Sequence, residues 1–201
     1  MYVRYDCLLA EINPLVITSE GHLKALDGKV DIDDNALYRH PNVREFRDEI
    51  TENPLVLQAR GFDFLYIPIK DRGNIGVISN GSGMIMSSID LISQRGMEVT
   101  CALDLGGGAT ADRIQEALKI VASNPQVDTV FINIFGGITR CDDVAKGLVT
   151  ALEEIKTDIP IVIRLSGTNA KEGREIIADY GLPIVKTMSE AAKKAIELSK
   201  K

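Results

Sequence analysis

From Gly73 onward, short runs of Val, Ile and Leu alternate with stretches whose apolar residues recur at helical spacing. NIGVIS (74–79) precedes MIMSSIDLISQ, EVTCALDL (98–105) precedes ADRIQEALKIVA, and VDTVFINI (127–134) precedes CDDVAKGLVTALEEI. PIVIRL (160–165) then precedes AKEGREIIADY, and PIVK (183–186) precedes SEAAKKAIELS. The runs are nearly continuous, as strands covered on both faces require, while Ile114, Ala117, Leu118 and Val121 mark one face of a helix. Gly96, Pro125, Pro160 and Gly181 punctuate the returns from helix to strand. Asn169 followed by Glu172 has the spacing of a helix-starting cap.

Five βα units predict an α/β fold, a doubly wound five-stranded parallel sheet in the flavodoxin-like order 2-1-3-4-5. The order reverses between strands 1 and 3, and ligands of open α/β sheets sit outside the strand ends at that reversal. The loops there are SNGSG (79–83) and FGGIT (135–139). A glycine pair between strand and helix lets backbone N–H groups approach an anion, and the helix expected to begin near Thr139–Cys141 would point its positive end the same way. A simpler account fits the same residues: Asp142 and Asp143 complement the helix dipole and the glycines make a tight turn. GGGAT (106–110) poses the same choice between an anion-binding loop and a passage beneath the crevice.

The N-terminal pattern is different. LLAEINPLVITSEGHLKALDGKVDI (8–32) reads as two strands around the turn TSEGH. A turn centred on Glu20 sets Asn13 opposite Asp27 and Glu11 opposite Lys29, all on one face. Two carboxylates and an amide oxygen on one face are hard oxygen ligands of the kind Mg²⁺ takes when phosphate completes its shell; ordinary cross-strand polar pairs are the alternative. A lone hairpin is marginal in water, so a larger domain is expected to precede it. Residues 33–72, mixing charges with turn formers before a short β-like run, read as a connecting segment. The expected division is 1–60 and 61–201, with the boundary near 60–72.

With 201 residues, 45% of them apolar, the chain can bury a real core. Its net charge of −6 opposes nonspecific binding to nucleic acid or an anionic membrane. No apolar stretch approaches the roughly 18 residues of a span, and a cytoplasmic protein is expected. Cys7, Cys101 and Cys141 are too few and too far apart for a disulfide framework or a zinc site, and are read as reduced thiols. His22 in the hairpin turn and His40 before Pro41 are read as exposed structural residues.

LLAEINPLVIT, ALDGKV, DDNALYRHP, GNIGVISNGSGM, DLGGGAT and NIFGGITRCD, in this order and spacing, resemble the β subunit of succinyl-CoA synthetase, the succinate–CoA ligase family. The resemblance implies the C-terminal remnant of an ATP-grasp domain followed by a flavodoxin-like CoA-ligase-type domain. It also implies a ligase that joins succinate to CoA at the expense of ATP or GTP through a phosphohistidine on an α subunit. By position, Glu11 matches the carboxylate that meets that histidine, Asn13 and Asp27 match Mg²⁺ ligands, and Asn80, Gly137, Ile138 and Thr139 match succinate contacts. Gly136, Gly107 and Gly108 are the candidate anion-loop glycines, and SGTNA (166–170) is a βα turn expected to face the partner subunit. As this stretch alone the chain is expected to be inactive. The sequence departs from the family pattern in PIKDRGNIG and at Ser82, Met84, Ile85 and Met86, near the carboxylate pocket, which leaves malate- and citrate-using relatives as alternatives. A free-standing flavin or dinucleotide module is a third reading. NGSGMIM lacks the third glycine of a dinucleotide fingerprint, although Asp104 lies near its acidic position.

Overall fold

A computed structural model describes residues 1–50, 53–69, 73–107, 110–155 and 157–199. It divides into two units, Met1–Glu52 and Asn53–Lys201.

In the first unit, β1 (Cys7–Ile12) pairs antiparallel with β4 (Gly28–Ile32), and between them β2 (Leu15–Ile17) pairs with β3 (Leu23–Ala25). Glu11 lies opposite Lys29 and Leu15 opposite Ala25, and the Asn13 N–H reaches the Asp27 carbonyl at 3.3 Å. Both ladders are therefore centred on Glu20, as the turn chemistry predicts. Gly21, at φ +82°, supplies the left-handed residue of the turn. A short 3₁₀ helix (Asp34–Arg39) and α1 (Pro41–Ile50) follow, so much of the stretch read as a connection is helical. The 3₁₀ helix is capped by Asp33, whose carboxylate accepts the Asn35 N–H.

The second unit begins with α2 (Pro54–Arg60), with Asn53 capping it and Pro54 at its first turn. Ala59 of this helix is fully buried in the same core as the sheet, so the helix belongs here and the division falls after Glu52 rather than near residue 60. β5 (Leu65–Pro68), β6 (Ile75–Ser79), β7 (Val99–Asp104), β8 (Thr129–Gly136) and β9 (Ile161–Gly167) form one sheet in the order β5-β7-β6-β8-β9. α3 (Ser82–Ser93), α4 (Ala111–Ala122), α5 (Cys141–Ile155), α6 (Ala170–Asp179) and α7 (Met188–Ser199) cover it.

The four strands β7-β6-β8-β9 are parallel and reproduce the 2-1-3-4 part of the expected order. The fifth parallel strand is reduced to a single bridge between Ile184 and Ile163. The fifth full strand is instead β5, antiparallel to β7 at the opposite edge. Such an antiparallel edge is common on otherwise parallel sheets.

Ile132, Ile134, Ile163 and Leu165 bury one face against α4, α5 and α6. Val77, Phe131 and Val162 bury the other against α3 and α7. Two-sided burial is what the unbroken apolar runs require, and the doubly wound architecture follows from it. No helix among the described residues is long and apolar enough to cross a membrane.

Candidate functional site

The strand order reverses between β6 and β8, and their C-terminal ends open the crevice. Asn80, the first residue after β6, bridges it. Its Nδ2 donates to the Phe135 carbonyl at 2.8 Å and its Oδ1 accepts the Phe135 N–H at 3.0 Å. The side-chain amide thus extends the β6–β8 ladder by one rung, seats the 135–139 loop beside residue 80, and leaves one of its N–H groups without an acceptor among the described residues.

On the far side of β8, the β9–α6 turn grips the same loop. The Thr168 N–H donates to the Gly136 carbonyl, its hydroxyl donates to the Gly137 carbonyl, and its own carbonyl accepts the Cys141 N–H. Gly167 is at φ +97°, and a Cβ there would lie 2.0 Å from the Gly136 oxygen. A Cβ on Gly136 would stand 2.9 Å from the Cys141 sulfur, the Thr139 carbonyl and the Thr168 nitrogen. The two glycines of the FGG pair therefore differ. Gly136 is demanded by packing against its own neighbours, whereas Gly137 has open space around its Cα.

Thr139 is buried and Ile138 is 94% exposed at the loop tip. Among the described residues, the N–H groups of Gly137, Ile138 and Thr139 have no hydrogen-bond acceptor.

The start of α5 is occupied from within the chain. Asp142 accepts from Arg140 at 2.9 and 3.3 Å and from the Asn169 amide at 3.1 Å. The Arg140 guanidinium, helped by that amide, holds the Asp142 carboxyl down at about 2. Asn169 does stand at the cap position of α6, but at φ +55° its side chain turns to Asp142 and makes no cap bond. Cys141 is buried, and burial raises its thiol pKa, so it is a packing residue between the loop and β9.

On the β7 side of β6, one oxygen of Asp104 accepts the Gly81 N–H at 2.8 Å and the Gly106 N–H at 2.9 Å. That oxygen joins the loops after β6 and β7. Gly107 follows in that second loop with nothing near its Cα; Gly108 lies outside the described residues, as do residues 70–72 of the PIKDRGNIG departure.

Beneath the crevice runs a buried polar chain that the sequence reading missed. Ser79, Asn133 and Arg164 are in register on β6, β8 and β9. The Ser79 hydroxyl donates to the Asn133 carbonyl, the Asn133 amide donates to the Ser88 hydroxyl of α3, and Arg164 donates to the Asn133 side-chain oxygen. Desolvation lowers the Arg164 pKa, as expected for a half-buried guanidinium. The available signal was a single polar residue near the C-terminal end of each otherwise apolar run.

Glu11, Asn13 and Asp27 lie on the first unit and are all exposed, with Glu11 opposite Lys29 in the hairpin. The Asn13 amide N–H bonds Glu11 at 3.2 Å, and one Asp27 oxygen takes the Gly28 N–H at 2.8 Å. The Asn13 carbonyl oxygen and the second Asp27 oxygen have no protein partner among the described residues, so two hard oxygen donors remain available to a cation. Among the described residues there is no group of three or more His, Cys, Asp or Glu side chains, so any ion there would need ligands from its own substrate or water.

His22 is exposed, with its N–H on the Thr18 hydroxyl. His40, expected exposed, is largely covered, bonded to Asp6 at 2.8 Å and set against the Tyr5 ring. Cys7, Cys101 and Cys141 are all free and buried.

A family model described as CoA-ligase matches residues 78–198, which include the crevice. The chain is 45% identical over 197 residues to the β subunit of an ADP-forming succinate–CoA ligase from Erythrobacter litoralis, covering 97% of this chain and 49% of that protein. It is 44% identical over 200 residues to the corresponding subunit from Geobacillus kaustophilus, covering 98% and 51%. The chain thus spans about half the length of these relatives. Among solved structures, an ATP citrate lyase from Methanothrix soehngenii in complex with citrate and coenzyme A matches with a TM-score of 0.75 at 21% identity. That match covers 98% of this chain and 56% of the other. A dinucleotide-forming acetyl-coenzyme A synthetase from Ca. Korarchaeum cryptofilum matches at 0.57 and 16%, over 80% and 41%. At these identities the two structures speak for the fold alone.

Proposed function

The chain belongs to the CoA-ligase family, and from that premise we propose that it is the β-subunit portion of a nucleotide-dependent succinate–CoA ligase. The whole enzyme would convert succinate, CoA and a nucleoside triphosphate into succinyl-CoA, the diphosphate and phosphate. The ADP-forming activity in the names of the relatives favours ATP. The observation that carries the reading is the bridge from Asn80 to Phe135, because it joins the two loops that the resemblance assigns to succinate.

In this reading the N–H groups of Gly137, Ile138 and Thr139 receive a carboxylate of succinate, and the remaining N–H of Asn80 faces the same crevice. Gly136 and Gly107 serve the shape of the anion loops. The absence of a nucleophile in FGGIT is then natural, since an α subunit supplies the phosphorylated histidine and the CoA site. Glu11 would accept the N–H of that histidine's imidazole, orient the ring and favour its charged form. Asn13 and Asp27 would hold Mg²⁺ through the two free oxygens, and the ion would neutralise nucleotide phosphate charge. The protein is cytoplasmic, and this stretch alone is inactive in ligation.

A dinucleotide module is disfavoured because NGSGMIM lacks the third glycine of that fingerprint. The test is calorimetric titration of the 201-residue chain with succinate, malate and citrate. Succinate is expected to bind best, and Asn80→Ala, which removes both the bridge to Phe135 and the remaining amide N–H, is expected to weaken it. Succinate affinity unchanged by that substitution removes the crevice from the reading.

A further inference from the structure

We infer that Thr168 is a positioning residue that turns two consecutive peptide units of the 136–138 loop, so that both N–H groups face the β6 side of the crevice as a paired donor site for one carboxylate. The inference rests on the succinate reading above and adds how the seat is made and which residue makes it.

In a planar trans unit the C=O and the N–H of the next residue point in opposite directions. The Gly136 carbonyl is held by the Thr168 N–H at 2.9 Å, and the Gly137 carbonyl by the Thr168 hydroxyl at 2.9 Å. Both carbonyls face residue 168, so the N–H groups of Gly137 and Ile138 both point away from it.

Thr168 follows β9, and β8 lies between β9 and β6, so "away" is toward β6, where Asn80 holds Phe135. In a strand, consecutive carbonyls alternate sides. The first of these bonds merely continues the β8–β9 ladder. The second breaks the alternation, and it is made by a side chain.

Without that hydroxyl nothing among the described residues holds the Gly137 carbonyl on the β9 side. Gly137 carries no side chain to restrict it, and an added Cβ would meet nothing within 4 Å. The hydroxyl therefore substitutes for steric restraint at the one residue whose openness the ligand needs. Two neighbouring N–H donors on one side of the loop offer one bond to each oxygen of a carboxylate, and donors held in place before the ligand arrives need no reorganisation to receive it. The rest of residue 168 anchors the arrangement, because its carbonyl takes the Cys141 N–H at 3.0 Å and fixes the loop's other end.

Two variants separate this role from general support. Thr168→Val keeps the shape and loses the donor; Thr168→Ser keeps the donor. In amide NMR of the whole chain, succinate is expected to shift the Gly137 and Ile138 resonances of the native protein and of Thr168→Ser. With Thr168→Val, succinate affinity is expected to fall at least fivefold while the Phe131 amide, in the buried sheet, stays unchanged as the control for folding. In the enzyme assembled with its α subunit, the same variant should raise KM for succinate and leave KM for CoA unaltered. Native-like succinate affinity in Thr168→Val overturns the role of Thr168 and leaves the succinate reading standing. If inorganic phosphate moves the two amides and succinate does not, the paired donors stand and the succinate reading falls. If neither anion moves them, the inference is wrong.

Discussion

The two units use similar proportions of apolar residues to different ends. In the second, Phe131, Ile132, Ile134, Leu118 and Leu148 are all completely buried, on two faces of one sheet. In the first, Leu8, Ile12, Leu15, Ile17, Leu23 and Leu26 are exposed, and an open cleft of about 670 Å³ is lined by Tyr5, Val30, Ile32, Leu37, Val43 and Phe46. A hairpin has its register set by the turn and by cross-strand pairs, whereas a doubly wound sheet has its register set by burial. Apolar residues therefore set register in the hairpin, while the unbroken apolar runs of the second unit supply free energy by burial on both faces.

The contrast is broken most forcefully at Phe131. Phe131→Ala is expected to cost about 3–5 kcal/mol, because the ring is fully enclosed and the sheet cannot collapse onto the void. Urea unfolding followed by the exchange of β8 amides measures it; a loss below about 1 kcal/mol would mean that the packing is far looser than the contacts imply.

The next largest effect compares two glycines with left-handed backbone. Gly167, at φ +97°, faces the Gly136 carbonyl oxygen, while Gly21, at φ +82°, has nothing within 4 Å of an added Cβ. Gly21→Ala should cost only the strain of the conformation, about 1 kcal/mol. Gly167→Ala adds a collision with backbone and is expected to cost about 3 kcal/mol and to displace the 136–139 loop. Thermal unfolding of the two variants, with succinate titration of the second, tests both parts.

Acid provides a subtler probe of the crevice. The Asp142 carboxyl is held down at about 2 by Arg140, below its ordinary value of 3.8. A depressed carboxyl contributes stability that is fully present above the ordinary value and disappears as pH falls through the depressed one. Between roughly pH 4 and 2 the wild-type melting temperature should therefore drop more steeply than that of Asp142→Asn, which has no such proton to take up. Parallel melting curves over that interval would show that the Arg140–Asp142–Asn169 cluster contributes nothing to folding.

What could be read from the sequence follows the same division. The hairpin register was legible because turn chemistry and strand alternation both point to Glu20, and the parallel order was legible because unbroken Val and Ile runs occur only in strands covered on both faces. The edges of the sheet were not legible. Leu65–Pro68 and 183–186 are equally short and apolar, and only tertiary pairing makes the first an antiparallel strand and the second a single bridge. α1 and α2 were read as a connection because the charges of REFRDE and the turn formers around Asn53 and Pro54 mask a narrow apolar face. Of the crevice, the positions of Asn80 and the 137–139 loop followed from topology. The roles of Thr168 and Asp104 did not, since Gly136, Gly137 and Cys141 for the first and Gly81 for the second lie far away in the chain and no spacing rule connects them.

The smallest expected effect bears on what the exposed hairpin residues are doing. Ile17 is 73% exposed and Leu23, opposite it, is 70% exposed. Thr has a β-branched shape suited to strands, so Ile17→Thr and Leu23→Thr preserve the backbone preference while removing most of the apolar surface. Surface substitutions of this kind normally change stability by no more than about 0.5 kcal/mol, and that is the expectation for each variant in dilute solution, read from hydrogen exchange of the β2–β3 amides. The measurement is informative because it has a concentration axis. If exchange in the native chain slows as protein is concentrated and the two Thr variants lose that response, the hairpin face is covered by another copy, and the exposure that sets the first unit apart ends on association. If exchange is independent of concentration and indifferent to the substitutions, cross-strand pairing alone holds this hairpin in the 201-residue chain.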